Sequence, residues 1–260
     1  MLWGGSLCLC LALGLHPTGQ RDPVYDPDAW LHRETHAFAA NARSAYQVAY
    51  KPFLHANNHS RAALLLADPL DPQQTARVKK MADKIALDCE CLCLFPERPL
   101  AKNTPWEHAE LVELTMAATK YVNGVYGVEA LGCVCFGRSA TVAMELASTH
   151  AIEMNAMVSI QPDVTASVER ALRSIDTPTL CVVGGSAQSA ERLLSSLSLN
   201  SRLGSDYFVL SHKGCSEKFV LGPTSQHERE AVAHSEDYTT AWFDRYVPET
   251  DQRTRLAGRI

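Results

Sequence analysis

Glu129-Ala130-Leu131-Gly132-Cys133-Val134-Cys135-Phe136-Gly137-Arg138-Ser139-Ala140 is the stretch on which the reading of this chain turns. Glu129–Val134 is a short apolar run and reads as a buried strand, and Ser139–Ala147 reads as a helix. The chain must turn sharply between them. A strand, a tight turn and a helix together lift one side chain above the edge of a sheet. Such a nucleophile elbow wants small residues two positions before and two after the lifted one, because the strained turn brings backbones close. Cys135 has Cys133 and Gly137 at those offsets. The start of the helix behind Cys135 favours its thiolate, and the N–H of Phe136 points at a developing oxyanion. The plain alternative is a buried cysteine on a strand. Ser139 is a rival nucleophile, but it falls inside the predicted helix and Thr141 is bulky where a small residue belongs.

Outward from this stretch, the pattern alternates from about residue 45. Ala62–Ala67, Cys89–Phe95 (stopped by Pro96), Ala156–Ile160 (stopped at Pro162), Thr179–Val183 and Asp206–Leu210 read as strands. Gln73–Leu87 carries Val78, Met81, Ala82 and Ile85 at helical spacing, and Glu107–Val122 carries Leu111, Leu114, Ala118, Tyr121 and Val122. Tyr238–Val247 closes as an amphipathic helix with Trp242 and Tyr246 inward. Apolar strands alternating with amphipathic helices predict an α/β fold, a mostly parallel central sheet with helices on both faces. Chemistry in such sheets collects at the carboxyl ends of the strands. One domain over 24–250 accounts for the pattern, with 1–20 a leader or disordered N-terminus and 251–260 a tail.

The chain has 260 residues, 46% hydrophobic and 20% charged, with a formal charge of −5. That is enough to bury a full core, and a mildly acidic surface without a basic run argues against nucleic acid as a partner. Leu2–Leu15 is the longest apolar stretch; it is too short for a bilayer span but has the length of a secretory leader, so secreted and cytoplasmic chains both stay open. Asn58-His59-Ser60 is a glycosylation acceptor only if the chain is secreted. Two of the nine cysteines, Cys8 and Cys10, lie in that leader-like stretch, leaving an odd number, most of them in strand-like runs. Buried free thiols fit that pattern better than a disulfide framework. Cys89-Glu90-Cys91-Leu92-Cys93 sets three thiols on one strand face, and a thiol-rich core is the simpler reading than a metal or redox centre. His32-Arg33-Glu34-Thr35-His36 has two histidines four apart, but its glutamate is not placed as in H-E-x-x-H, and Gly184-Gly185-Ser186 lacks the Lys of a phosphate loop.

Five segments in order resemble the dienelactone hydrolase family of the α/β-hydrolase superfamily: Ala63–Asp68, Arg77–Phe95, Cys135-Phe136-Gly137, Pro178–Gly185 and Tyr207–His212. The resemblance spans roughly residues 45–247. It implies a hydrolase that opens an ester or lactone, a small-molecule substrate, and no metal or organic cofactor. Cys135 is then the nucleophile, His212 the base, and Asp68 the group that controls the thiol. Three departures accompany it. Ala187 stands where the family has its acid, which leaves Asp163 as the preferred replacement and Glu191 or Glu217 as others. Pro69 has no N–H to give an oxyanion hole, so that donor passes to Leu70. Arg138 replaces the second turn glycine and becomes a candidate substrate-binding side chain. Loss of the acid costs a Ser-His-Asp system on the order of 10⁴ in rate. A weakened or inactive binding protein of the same fold is therefore the alternative expectation.

Overall fold

The computed structural model describes residues 31–38, 43–50, 61–67, 72–97 and 107–248. In chain order these form β1 (Leu31–Phe38), β2 (Arg43–Tyr50), β3 (Arg61–Leu66), α1 (Pro72–Asp88), β4 (Leu92–Glu97), α2 (His108–Tyr126) and β5 (Ala130–Phe136). They continue as α3 (Arg138–Ser148), β6 (Ala156–Ile160), α4 (Ala166–Leu172), β7 (Thr179–Gly185), α5 (Ala187–Ser198), β8 (Tyr207–Lys213) and α6 (Gln226–Tyr246). The strands make one sheet in the order β1-β2-β4-β3-β5-β6-β7-β8. β1 pairs antiparallel with β2, and β2 with β4; every other pairing is parallel. The predicted mostly parallel α/β sheet is the one found, with an antiparallel edge added.

Why the sheet forms is plain from its strands. Those of the parallel part are apolar at almost every position, because helices cover both faces. Alternate residues sort into two cores. Leu64, Leu66, Cys133, Cys135, Met157, Cys181 and Val183 face α2–α5. Leu65, Val134, Phe136, Val158, Ile160, Leu180 and Val182 face α1 and α6. Burying side chains of this size contributes about 1.5–3 kcal/mol each relative to exposure.

The last helix is tied to the middle of the molecule. Arg61, at the start of β3, is buried, and its Nη1 lies 3.4 Å from both Asp244 Oδ1 and the Val247 carbonyl. Trp242 Nε1 donates to the Pro178 carbonyl at 3.4 Å, the Cys89 thiol to that of Thr240 at 3.6 Å, and Phe243 is buried beside them.

Several boundaries differ from the sequence reading. β4 runs through Pro96 because β3 pairs only with Leu92–Leu94, so the end of β4 is bordered by β2 alone. Cys89 therefore sits at the turn before β4. β8 extends three residues past Leu210, which matters for the site. Cys91 and Cys93 share a face with Sγ atoms 3.8 Å apart, and the Cys91 thiol donates to the Ile85 carbonyl. All seven cysteines among the described residues are free and buried. Among the same residues no group of three or more His, Cys, Asp or Glu is placed to hold a metal ion. No described helix is long and apolar enough to cross a membrane. The leader-like segment, Asn58, Asp68 and Leu70 lie outside the described residues.

Candidate functional site

β5 keeps its strand alternation through Phe136, so the turn comes at Gly137. The Gly137 N–H donates to the Ile160 carbonyl at 2.9 Å, and its own carbonyl accepts from Ala140 N at 3.1 Å as α3 begins. Its φ of 56° and ψ of −125° lie outside the ordinary basins of L-residues, and glycine adopts them without a Cβ penalty. This is the backbone of an elbow vertex, between the last residue of the strand and the first of the helix. A Cβ placed on Gly137 meets nothing within 4 Å, so the space above the vertex is open. The elbow is Cys135-Phe136-Gly137-Arg138-Ser139, two residues later than the sequence reading centred it. Its vertex carries no side chain.

Cys135 is corrected accordingly. It lies inside β5, fully buried in the core under α2–α5, with its Sγ 3.1 Å from that of Cys133. Burial, and then the neighbouring Cys133 thiol, push its pKa well above the usual thiol range. A thiol held neutral in hydrocarbon is inert. Phe136 closes β5 in register with Ile160, so its N–H precedes the vertex; the N–H that follows the vertex belongs to Arg138. Ser139 is buried in the first turn of α3, its hydroxyl without a partner among the described residues.

His212 is corrected too. Register places Cys135 level with Ser159, Cys181 and Val209 across the sheet, so these share one face. His212 follows Val209 by an odd number of residues and points to the other face. Three strand spacings also separate β5 from β8, roughly 14 Å. The Ser235 hydroxyl donates to the Ala231 carbonyl at 2.7 Å and so accepts from His212 Nε2 at 3.0 Å, which fixes the tautomer. The ring packs on Phe219 and His234. Burial, then His234 and His227, lower its pKa to about 4. The residue expected in a loop beside the nucleophile is a neutral ring wedged between β8 and α6.

What the carboxyl edge does hold is a pocket of about 420 Å³. Its floor is Phe136 and Gly137, with Ile160, Val183, Val220 and Leu221 as apolar wall and Gln161, Asp163, Glu217 and Lys218 as polar wall. Asp163 reaches this pocket but makes no hydrogen bond to His212, and the His212 Nε2, the nitrogen a triad turns toward its nucleophile, is engaged by Ser235. Arg138 is half-buried and lines a smaller adjoining cleft with Asp163, Thr141 and Glu145. Ala187 opens α5, with Ser186 as its N-cap; Glu191 sits exposed on the same helix. Sequence reasoning missed Gln161, whose only signal was its place between a strand end and Pro162. It also missed Glu228, nearly buried on α6. The Glu228 carboxylate accepts from Ser216 N (2.8 Å), Thr224 N (2.6 Å) and Thr224 Oγ1 (2.8 Å), pinning both ends of the loop that carries Glu217 to Leu221. Those bonds hold its pKa down at about 2.

Comparison with solved structures fits this architecture. A dienelactone hydrolase from Anabaena variabilis ATCC 29413 superposes with a TM-score of 0.64 at 13% identity, covering 84% of this chain and 98% of that one. The chain has the α/β-hydrolase fold. A thermostable esterase from Pseudomonas putida ECU1011 shares that fold (TM-score 0.61, 10% identity, 86% and 85% covered). So does carboxyl esterase 2 from Tuber melanosporum (TM-score 0.60, 10% identity, 93% and 98% covered). No family model matches the sequence, and no curated protein matches it. The resemblance drawn from the five segments is thus met in structure by dienelactone hydrolases and esterases of the α/β-hydrolase fold.

Proposed function

We propose that this chain uses an α/β-hydrolase pocket to bind a small carbonyl compound, of ester or lactone type, without attacking it from the elbow. One observation carries this reading: the vertex of the elbow is Gly137. A nucleophilic mechanism needs a side-chain oxygen, sulfur or nitrogen at that point, and glycine offers none. The rest of the edge supports the same reading, with Ala187 where an acid would be and His212 turned to the opposite face from Cys135. Enzymes stripped of their triad keep only the rate that binding and the oxyanion donors supply, about 10³–10⁴-fold over water. The pocket volume of about 420 Å³ suits a drug-sized or smaller ligand.

Hydrolysis is the second reading, favoured by the esterases and dienelactone hydrolases among the similar structures. One experiment separates the two. Purified protein is given p-nitrophenyl acetate and, separately, the aromatic lactone dihydrocoumarin, with turnover and saturable binding both followed. Binding of the lactone with no turnover beyond the uncatalysed rate supports the binding reading. Multiple turnovers of either compound that are lost when the pocket is altered, as by Val183→Trp, overturn it in favour of hydrolysis.

A further inference from the structure

We infer that the side-chain amide of Gln161 is the recognition donor of this pocket, and that its ligand presents a hydrogen-bond-accepting oxygen to it. The inference rests on the pocket being a binding site, and adds which atom reads the ligand.

Gln161 follows directly on β6 and has a φ of 54°, one of three non-glycine residues among those described with positive φ. Unlike Asn, Asp or Gly, Gln has no local reason to favour this region. The peptide group that precedes it is held at both ends: the Ile160 carbonyl takes the Gly137 N–H at 2.9 Å, and Gln161 N donates to the Val182 carbonyl at 2.8 Å. The strained backbone thus turns the side chain into the pocket beside the open vertex. Its Nε2 is closed off beside Gly184 in this conformation and has no hydrogen-bond partner among the described residues, so rotation about the side chain's own torsions is what presents the donor to a ligand. Strain and an unpaired buried donor each cost stability, and their coincidence at a pocket wall points to a ligand.

The neighbouring sequence makes room for this amide. A Cβ on Gly184 would come within 3.1 Å of Gln161 Nε2 and 2.5 Å of the Ser216 carbonyl. Glycine at the end of β7 therefore lets the amide and the loop after β8 close on the same point. The unpartnered hydroxyls of Ser139 and Ser159 belong to residues that do not line the pocket, whereas Gln161 does. An N–H donor beside an empty vertex selects a carbonyl or carboxylate oxygen over an apolar isostere. A single neutral hydrogen bond of this kind discriminates by about threefold to tenfold.

The test compares dihydrocoumarin with chroman, its analogue without the carbonyl, on wild type, Gln161→Leu and Gln161→Gly, by ligand-observed NMR titration and thermal melting. The expected result is a threefold to tenfold preference of wild type for the lactone that disappears in Gln161→Leu. Melting temperatures of both variants should equal or exceed that of wild type, because strain or an orphaned donor has been removed. Lactone binding with the same preference in Gln161→Leu overturns the assignment alone. A fall in melting temperature of more than about 3 °C in both variants also overturns it, since the residue would then be structural. Absence of saturable binding to wild type overturns the pocket reading and this assignment with it.

Discussion

Gly137→Cys tests where the elbow lies. The substitution puts a thiol on the vertex, where an added Cβ meets nothing within 4 Å, so steric cost is absent and only backbone strain remains. A residue with a Cβ at φ 56°, ψ −125° costs about 1–3 kcal/mol. For a chain of this size each kcal/mol lowers the melting temperature by about 2–4 °C, so a loss of about 2–12 °C is expected. The introduced thiol sits at the N-terminus of α3, which favours its thiolate. Peptide-resolved mass spectrometry after brief iodoacetamide treatment of the folded protein at neutral pH should show modification at position 137 and at none of the seven cysteines among the described residues. Cys135, neutral and buried, should stay unmodified in wild type and variant. With p-nitrophenyl acetate the variant should take up one acetyl group at position 137 and release it slowly, because His212, the candidate base, is turned away and engaged by Ser235. Modification of Cys135 in folded wild type, with position 137 unreactive in the variant, would refute the placement of the vertex.

Two further outcomes are expected. Glu228→Gln replaces one acceptor oxygen of the loop clamp by an NH₂ group that opposes the N–H of Ser216 or Thr224; amide exchange over 216–224 should speed up at least about tenfold while β5 and β6 are unchanged, and equal exchange would remove Glu228 from that role. The depressed pKa means this clamp is intact above the unfolded carboxyl pKa and is lost only as pH falls through about 2. His212 behaves in the opposite sense: it stays neutral in the fold down to about pH 4, while the unfolded chain takes up its proton near 6.5. Stability from this group is complete above about pH 6.5 and falls as pH drops toward 4, by about 1–2 kcal/mol once solvent screening of the half-buried ring is allowed for. Urea midpoints at pH 7 and 4.5 should show a smaller acid loss in His212→Gln, and an unchanged loss would disprove the burial account.

Much of the sheet was legible because its strands are apolar throughout and its helices keep one apolar stripe; Ala156–Ile160 was placed to the residue. β1 was not legible. His32 to Thr35 are exposed on an edge strand, so no alternation marks them. The site was misplaced for a chemical reason. A vertex is recognised in sequence by the reactive side chain it bears, and here that side chain is absent. The spacing Cys133-x-Cys135-x-Gly137 then drew attention to a core sulfur two residues early. His212 looked like a loop residue because the apolar run ends at Leu210. The ladder nevertheless continues to the Gly185↔Lys213 pair and carries the histidine with it. Gln161 has no sequence signature, since its strain and its unpaired amide exist only once β6, β7 and the loop after β8 are assembled.

The attachment of α6 to Arg61 has a consequence for how the molecule comes into being. Arg61 and Asp244 are separated by most of the sequence, and the apolar face of the sheet toward α1 and α6 is sealed by Trp242 and Phe243. During synthesis the central strands emerge long before their cover. Until α6 leaves the ribosome, the part of that face which α1 does not cover is open to water, the interval in which aggregation or chaperone capture is most favoured.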